Sequence, residues 1–173
     1  MNYKEKLNQI TTFVFDVDGV LTNGNVHVTN DGLLLRTMNI KDGYALKAAI
    51  DLGYKVCIIS GGSNDGVRIR FQKLGITAIY LGVPDKVMVL ENYCKEQNIE
   101  LKNILYMGDD LPDYHVMQKV GLPTCPQDSS PEIKQISSYI SHKKGGKGAV
   151  RDVIEQVLKV QNNWMKLYNG SNN

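Results

Sequence analysis

The stretch TTFVFDVDG, residues 11–19, is the most informative in the chain. Its β-branched and aromatic residues read as a buried strand, and Asp18-Gly19 stops that strand at a turn. Two further apolar runs behave alike: residues 55–60 (KVCIIS) end in Gly61-Gly62, and residues 104–107 (ILYM) run into Gly108-Asp109-Asp110. Shorter strands are expected over residues 78–81 and 122–125. Helices are expected over residues 43–52, 64–74, 86–97, 111–119, 131–136 and 149–160. The first of these would be capped by Asp42, carry Ala45, Leu46, Ala49 and Ile50 on one face, and stop at Gly53. Residues 26–29 and 33–38 flank Asn30-Asp31-Gly32, a hairpin with glycine at its left-handed position. Apolar strands alternating with helices indicate an α/β fold. It is a Rossmann-like doubly wound parallel sheet, covered on both faces, with a β-hairpin flap after the first strand.

The chain has 173 residues, of which 42% are hydrophobic and 22% charged. That suits one domain spanning residues 1–173, with a core over about residues 10–160 and a polar tail over 162–173. A net charge of +2 gives no reason to expect a nucleic-acid or anionic-membrane partner. No apolar run approaches the roughly 18 residues of a membrane span, and the polar amino end lacks the apolar core of a secretory signal. Cys57, Cys94 and Cys125 are odd in number and far apart, fitting neither a disulfide framework nor a zinc site. The expectation is a cytoplasmic protein.

In open α/β sheets ligands bind beyond the carboxyl ends of the strands. There the sequence places Asp16 and Asp18, Ser60-Gly61, and Asp109-Asp110, while Lys86 opens the helix after a short strand. Four carboxylates brought together repel unless a cation joins them. Oxygen donors without nearby His or Cys select a hard metal, Mg²⁺. Lys86 and Ser60 add donors for phosphate oxygens. A carboxylate nucleophile, a second carboxylate, a metal and cationic grips are what phosphoryl transfer through an aspartyl-phosphate requires. Taken singly, each acid is ordinary turn chemistry, Ser60 a helix cap and Lys86 a solvated residue. Their conjunction, each after an apolar strand and in order, carries the reading.

These residues resemble the four motifs of the haloacid dehalogenase superfamily of phosphohydrolases. Asp16-Val17-Asp18-Gly19-Val20 is similar to the first, Ser60-Gly61 to the second, Lys86 to the third, and Gly108-Asp109-Asp110 with Asp113 to the fourth. The resemblance implies that Asp16 attacks phosphorus. It implies that Asp18 protonates the leaving oxygen and then deprotonates the hydrolytic water. Asp16, the backbone carbonyl of Asp18, and Asp109 are implied to hold Mg²⁺. Asp110 and Asp113 are implied to stand behind them, Asp110 supporting the metal shell or orienting Lys86. Ser60 and Lys86 would neutralise the phosphoryl oxygens. An acid two residues after the nucleophile suits a phosphatase, because an alkoxide leaving group needs a proton.

Residues 19–59 and 61–86 leave little room for a cap domain, so a single-chain site would stand open to water. Either a macromolecular substrate covers it or neighbouring subunits do. Residues 39–44 (NIKDGY) and 145–151 (GGKGAVR) resemble signature segments of the capless 3-deoxy-D-manno-octulosonate 8-phosphate phosphatases. That likeness runs from about residue 12 to 158. It implies a homotetramer whose hairpins pack near the fourfold axis and whose neighbouring subunits complete each active site. The implied substrate is a small sugar-acid phosphate of lipopolysaccharide sugar biosynthesis, with no nucleic-acid or membrane partner. By the same likeness Asn39, Ile40, Lys41, Asp42, Gly43, Lys47, Gly62, Arg70 and Lys86 line the sugar-phosphate pocket. Asp18, Ser60 and Gly61 would share in holding the phosphate. Arg70 would reach a neighbour's site, and the 145–148 loop would close over a site in the assembly. A carboxylate on the substrate suits the bidentate guanidinium.

Phosphatases of nine-carbon keto-deoxy sugar acid 9-phosphates (nonulosonate or N-acylneuraminate type) are the alternative. They resemble a version with glutamate just after the second-motif glycine, where this chain has Gly62. Two other classes stay in view: a phospho-accepting receiver domain, disfavoured by Asp18, and a capless phosphatase acting on protein or nucleic acid.

Overall fold

Phe13 and Phe15 point to one side of a strand and Val14 to the other, and all three are fully buried. That is the packing a continuous apolar run needs, and it places the strand in the middle of a sheet. The computed structural model describes residues 3–169. The strand is β1 (Thr12–Phe15), preceded by a short helix α1 (Tyr3–Leu7) and followed by a two-stranded hairpin, β2 (His27–Val28) and β3 (Leu34–Leu35). Then come α2 (Ile40–Asp51), β4 (Lys55–Ile59), α3 (Asp65–Lys73), β5 (Ala78–Tyr80), α4 (Lys86–Gln97) and β6 (Ile104–Met107). The chain continues through α5 (Tyr114–Met117), β7 (Leu122–Cys125), α6 (Pro131–Ile136), β8 (Tyr139–Ile140), α7 (Ala149–Val160) and α8 (Lys166–Asn169).

Six parallel strands are ordered β5-β4-β1-β6-β7-β8. The chain winds outward from β1 through β4 to β5, then returns across it to β6. The order therefore reverses at β1, and a crevice opens there at the carboxyl ends. One face of the sheet carries Phe13, Phe15, Ile58 and Met107 against Leu46, Phe71 and Ile154; the other carries Val14, Cys57, Ile59 and Tyr106 against Leu90 and Met117. Burying each such aliphatic or aromatic side chain contributes about 1.5–3 kcal/mol.

The expected doubly wound sheet and hairpin are present, with local corrections. Helix α2 begins at Ile40, and its cap is Asn39, whose side chain accepts from the backbone N–H groups of Lys41 and Asp42. Asp42 is not that cap. Its carboxylate is 1% exposed and accepts from Arg151 N at 2.8 Å and Gly148 N at 3.3 Å. It therefore caps α7 from outside, where Gly148 has no side chain to do so. Residues 111–119 divide into a 3-10 turn (Leu111–Asp113) and α5. The strands of the hairpin are shorter than expected, and Gly32 takes its left-handed turn (φ +83°). Helix α1 and strand β8 carry too few apolar residues for a pattern. Contacts hold them: Tyr3 stacks on Tyr139 and donates from Oη to Gln156 at 2.8 Å. The expected polar tail contains α8; residues 170–173, with the Gly170 and Ser171 of an Asn-Gly-Ser triplet, lie outside the described residues. Among the described residues no helix is long and apolar enough to cross a membrane.

Two backbone donors at the start of α7 depend on one buried carboxylate, so Asp42→Ala is expected to lower stability in urea unfolding by about 1–3 kcal/mol. Lys47, whose Nζ lies 3.0 Å from Asp51 on an exposed face, serves as the comparison. Lys47→Ala is expected to change stability by less than about 0.5 kcal/mol.

Candidate active site

Strand β1 delivers Asp16 to the crevice. Its backbone N–H donates to Met107 O at 3.1 Å, so it sits where pairing with β6 ends. Oδ1 accepts from Val17 N at 2.7 Å, which fixes the side chain, and Oδ2 lies 3.1 Å from Lys86 Nζ. Lys86 opens α4 after the cap Asp85 and is 7% exposed, so its ammonium points inward rather than to solvent. It reaches Asp113 Oδ1 at 2.7 Å. That oxygen also accepts from Tyr106 Oη at 2.8 Å, and Oδ2 accepts from Asp109 N at 3.1 Å. Both oxygens of Asp113 are thus engaged. The residue that orients Lys86 is Asp113, while Asp110 is exposed at the cleft.

Gly19 makes room for Asp109: a Cβ there would overlap the Asp109 carboxylate, and its φ of +84° already disfavours any other residue. Across the crevice Ser60 follows β4, is 2% exposed, and accepts on Oγ from Gly62 N at 3.3 Å. Asp18 is held from the hairpin side. Arg36 donates from Nε to Asp18 Oδ1 at 2.7 Å and from Nη2 to Oδ2 at 3.1 Å. Asp16, Asp18, Ser60, Lys86, Asp109 and Asp110 face one open cleft of about 320 Å³, with Gly61 and Gly62 on its wall.

The electrostatics of this cleft are unbalanced. Burial raises the Asp16 carboxyl and the charge of Asp113 raises it further, with Lys86 pulling the other way. Burial, then Asp16, Asp113 and Asp110, push Asp109 up to about 8. Burial alone would depress Lys86, but Asp16 and Asp113 outweigh it and the ammonium is held above its ordinary range. Lys86 is left to offset Asp16, Asp109 and Asp113 together.

Residues 82–154 match a protein family described as haloacid dehalogenase-like hydrolase. A 3-deoxy-D-manno-octulosonate 8-phosphate phosphatase of Salmonella typhi is 36% identical over 156 residues, covering 90% of this chain and 83% of the relative. The chain belongs to that phosphatase family. Among solved structures, the Moraxella catarrhalis phosphatase of the same name, in complex with a magnesium ion, a phosphate ion and 3-deoxy-D-manno-octulosonate, superposes with a TM-score of 0.93. It is 34% identical, and the match covers 97% of each chain. A cobalt-bound Haemophilus influenzae phosphatase of this family is 28% identical with a TM-score of 0.88, covering 92% of this chain and 93% of that one.

The donor set fits a hard divalent cation. Asp16, Asp109 and Asp113 each place an oxygen within 4.8 Å of the others. Since Asp113 is spent on Lys86, Tyr106 and a backbone N–H, Asp16 and Asp109 are the side chains fitted to hold the ion.

Other residues expected in the phosphatase pocket lie outside this cleft of their own chain. Asn39, Ile40 and Lys41 line a separate cavity of about 780 Å³, shared with Lys143, Lys147 and Arg151. Asp42 is buried against α7, and Lys47 pairs with Asp51. Gly43 packs under Arg70, where a Cβ would come within 2.6 Å of its guanidinium. Arg70 itself lies beside Leu34 and Leu35 of the hairpin, outside the cleft of its own chain. Arg36 and Tyr106 were not expected in the site. An arginine after the three hairpin leucines Leu33, Leu34 and Leu35 reads as solvated, and a tyrosine inside ILYM reads as core.

Asp109 titrates higher folded than its ordinary 3.8. The folded chain therefore holds a proton that the unfolded chain releases, and this group's contribution to stability falls as pH rises from about 4 to about 8. In metal-free protein, thermal melting of wild type is expected to weaken relative to Asp109→Asn across pH 5–8. At pH 8 saturating Mg²⁺ is expected to raise the wild-type melting temperature, by about 2–4 °C per kcal/mol of binding, and to leave Asp109→Asn unmoved.

Proposed function

We propose that this chain is the Mg²⁺-dependent phosphatase that hydrolyses 3-deoxy-D-manno-octulosonate 8-phosphate to the free sugar acid and phosphate. The observation that carries the reading is the Asp16–Lys86–Asp113 chain beside Asp109 at the sheet's switch point. The full-length likeness to phosphatases named for that substrate, one of them solved with magnesium, phosphate and the product sugar, supports it. The nine-carbon alternative is not favoured.

In this reading Asp16 Oδ2 attacks phosphorus while Asp18 gives its proton to the departing C8 oxygen, leaving phosphate esterified to Asp16. Water then attacks that phosphorus, Asp18 takes its proton, and the bond to Asp16 breaks. Lys86 and Ser60 meet the phosphoryl oxygens, where negative charge develops. Asp113, braced by Tyr106, keeps Lys86 on the Asp16 side of the cleft. Asp16 and Asp109, with the backbone carbonyl of Asp18 that the family likeness implies, would hold Mg²⁺, which would supply charge neutralisation.

One domain carries this chemistry, and we place it in the cytoplasm, where three buried free thiols stay reduced. The working unit we propose is a homotetramer. Val28, Leu33 and Leu35 expose an apolar face on the hairpin, being 69%, 57% and 52% accessible, and the cleft beside it is open. Packing four such faces would bury them and shield the site, and Arg70, beside Leu34 and Leu35, would then be carried toward a neighbour's site, where its guanidinium suits a substrate carboxylate.

Phosphate release from the 8-phosphate substrate tests the reading. Turnover is expected with Mg²⁺, lost on chelation, and reduced at least about 10³-fold in Asp16→Asn with the melting transition retained. Full activity in that variant overturns it. Sedimentation is expected to give a tetramer, and Leu33→Asp with Leu35→Asp a monomer of lower turnover.

A further inference from the structure

The hairpin touches the cleft through one side chain. Arg36 follows β3 directly, and its side chain is 8% exposed while the Asp18 carboxylate it grips is 37% exposed. Its donors are distributed: Nε and Nη2 take the two oxygens of Asp18, and Nη1 donates to Leu34 O at 3.2 Å. The same Leu34 carbonyl accepts from Asn64 Nδ2 at 3.1 Å, so the cap residue of α3 anchors the base of the hairpin. A Cβ on Gly62 would lie 3.1 Å from Asp18 Oδ2 and 3.3 Å from Arg36 Nη2, so the glycine leaves just the space the pair fills. An aspartate on a turn has free rotation about two bonds. A bidentate guanidinium, itself buried and tied to backbone, removes that freedom.

We propose that Arg36 is a positioning residue for the reaction: it sets the direction in which Asp18 presents its carboxyl group to the leaving oxygen and the water, and ties that direction to the hairpin. This rests on Asp18 being the acid and base proposed above. Three of the five N–H donors of Arg36 are spent within the chain, two of them on Asp18, and the remaining lone pairs of the Asp18 oxygens are left for the leaving group and the water. A misdirected carboxyl slows the two steps that need a proton moved, and spares the one that does not. When an aryl phosphate reacts, phenolate leaves without a proton as Asp16 bonds to phosphorus. Only the later hydrolysis then needs Asp18.

The experiment compares wild type, Arg36→Ala, Arg36→Lys and Asp18→Asn as full-length Mg²⁺-loaded protein. It uses 3-deoxy-D-manno-octulosonate 8-phosphate in the steady state and p-nitrophenyl phosphate in rapid mixing. Arg36→Ala is expected to lower kcat on the sugar-acid phosphate by about 10- to 100-fold with KM changed less than about threefold, while p-nitrophenolate still appears in a burst near one per site. Arg36→Lys, which restores one charged donor, is expected to recover part of kcat and keeps the test open should the alanine variant fold poorly. Unchanged turnover in both Arg36 variants, or a loss carried by KM, overturns the proposal. Loss of the burst together with turnover overturns it too. Asp18→Asn separates the two levels: full turnover there removes the acid–base reading itself, whereas loss there with normal Arg36 variants removes only the role of Arg36.

Discussion

Mutual repulsion among Asp16, Asp109 and Asp113 is the constraint around which the rest of the molecule is arranged. Two buried carboxylates and a half-buried one converge beyond the carboxyl ends of β1 and β6, and the Lys86 ammonium stands among them. Such an assembly costs stability in the free protein and returns it only when a cation arrives, so it persists because the scaffold gives the acids nowhere else to go. Strand β1 is paired on both edges, and its neighbour β6 fixes the height of Asp109. The helix dipole is not the device here: Lys86 sits at the start of α4, where a positive charge is disfavoured, and two acids overcome that disadvantage.

The division of labour among the acids follows from their hydrogen bonds. Asp113 is saturated by Lys86, Tyr106 and a backbone donor and so acts on its neighbours. Asp16 keeps one oxygen on Val17 N and the other toward Lys86, which holds its side chain in one rotamer, as the attack on phosphorus proposed for it requires. Asp18 is handed to the hairpin instead. Residues of one chemical type thus acquire different tasks from partners that lie far away in sequence.

The parallel sheet and the long helices were legible in the sequence because apolar period and caps are local. Helices α4 and α7 begin and end where the pattern says, and the motif acids with Ser60 and Lys86 do meet in one cleft. What escaped was set by contacts between distant segments. Asp42 looks like a cap for its own helix and serves another; Asn39 takes its place. Arg36 gives no local sign of its partner, since nothing in its neighbourhood marks Asp18 as near. Residues 39–41 stand apart from the cleft of their own chain, and Lys47 turns to Asp51.

The turn after Asp16 is closed by a late part of the chain: Gly146 N donates to Val20 O at 2.9 Å, and Asp42 binds the backbone of Arg151, 109 positions downstream. A chain emerging from the ribosome can build the early strands, yet it must wait for its last fifth before that turn is locked. Until then Asp16 and its neighbours are carried on an unfinished sheet, with apolar surface exposed for seconds at ordinary rates of synthesis.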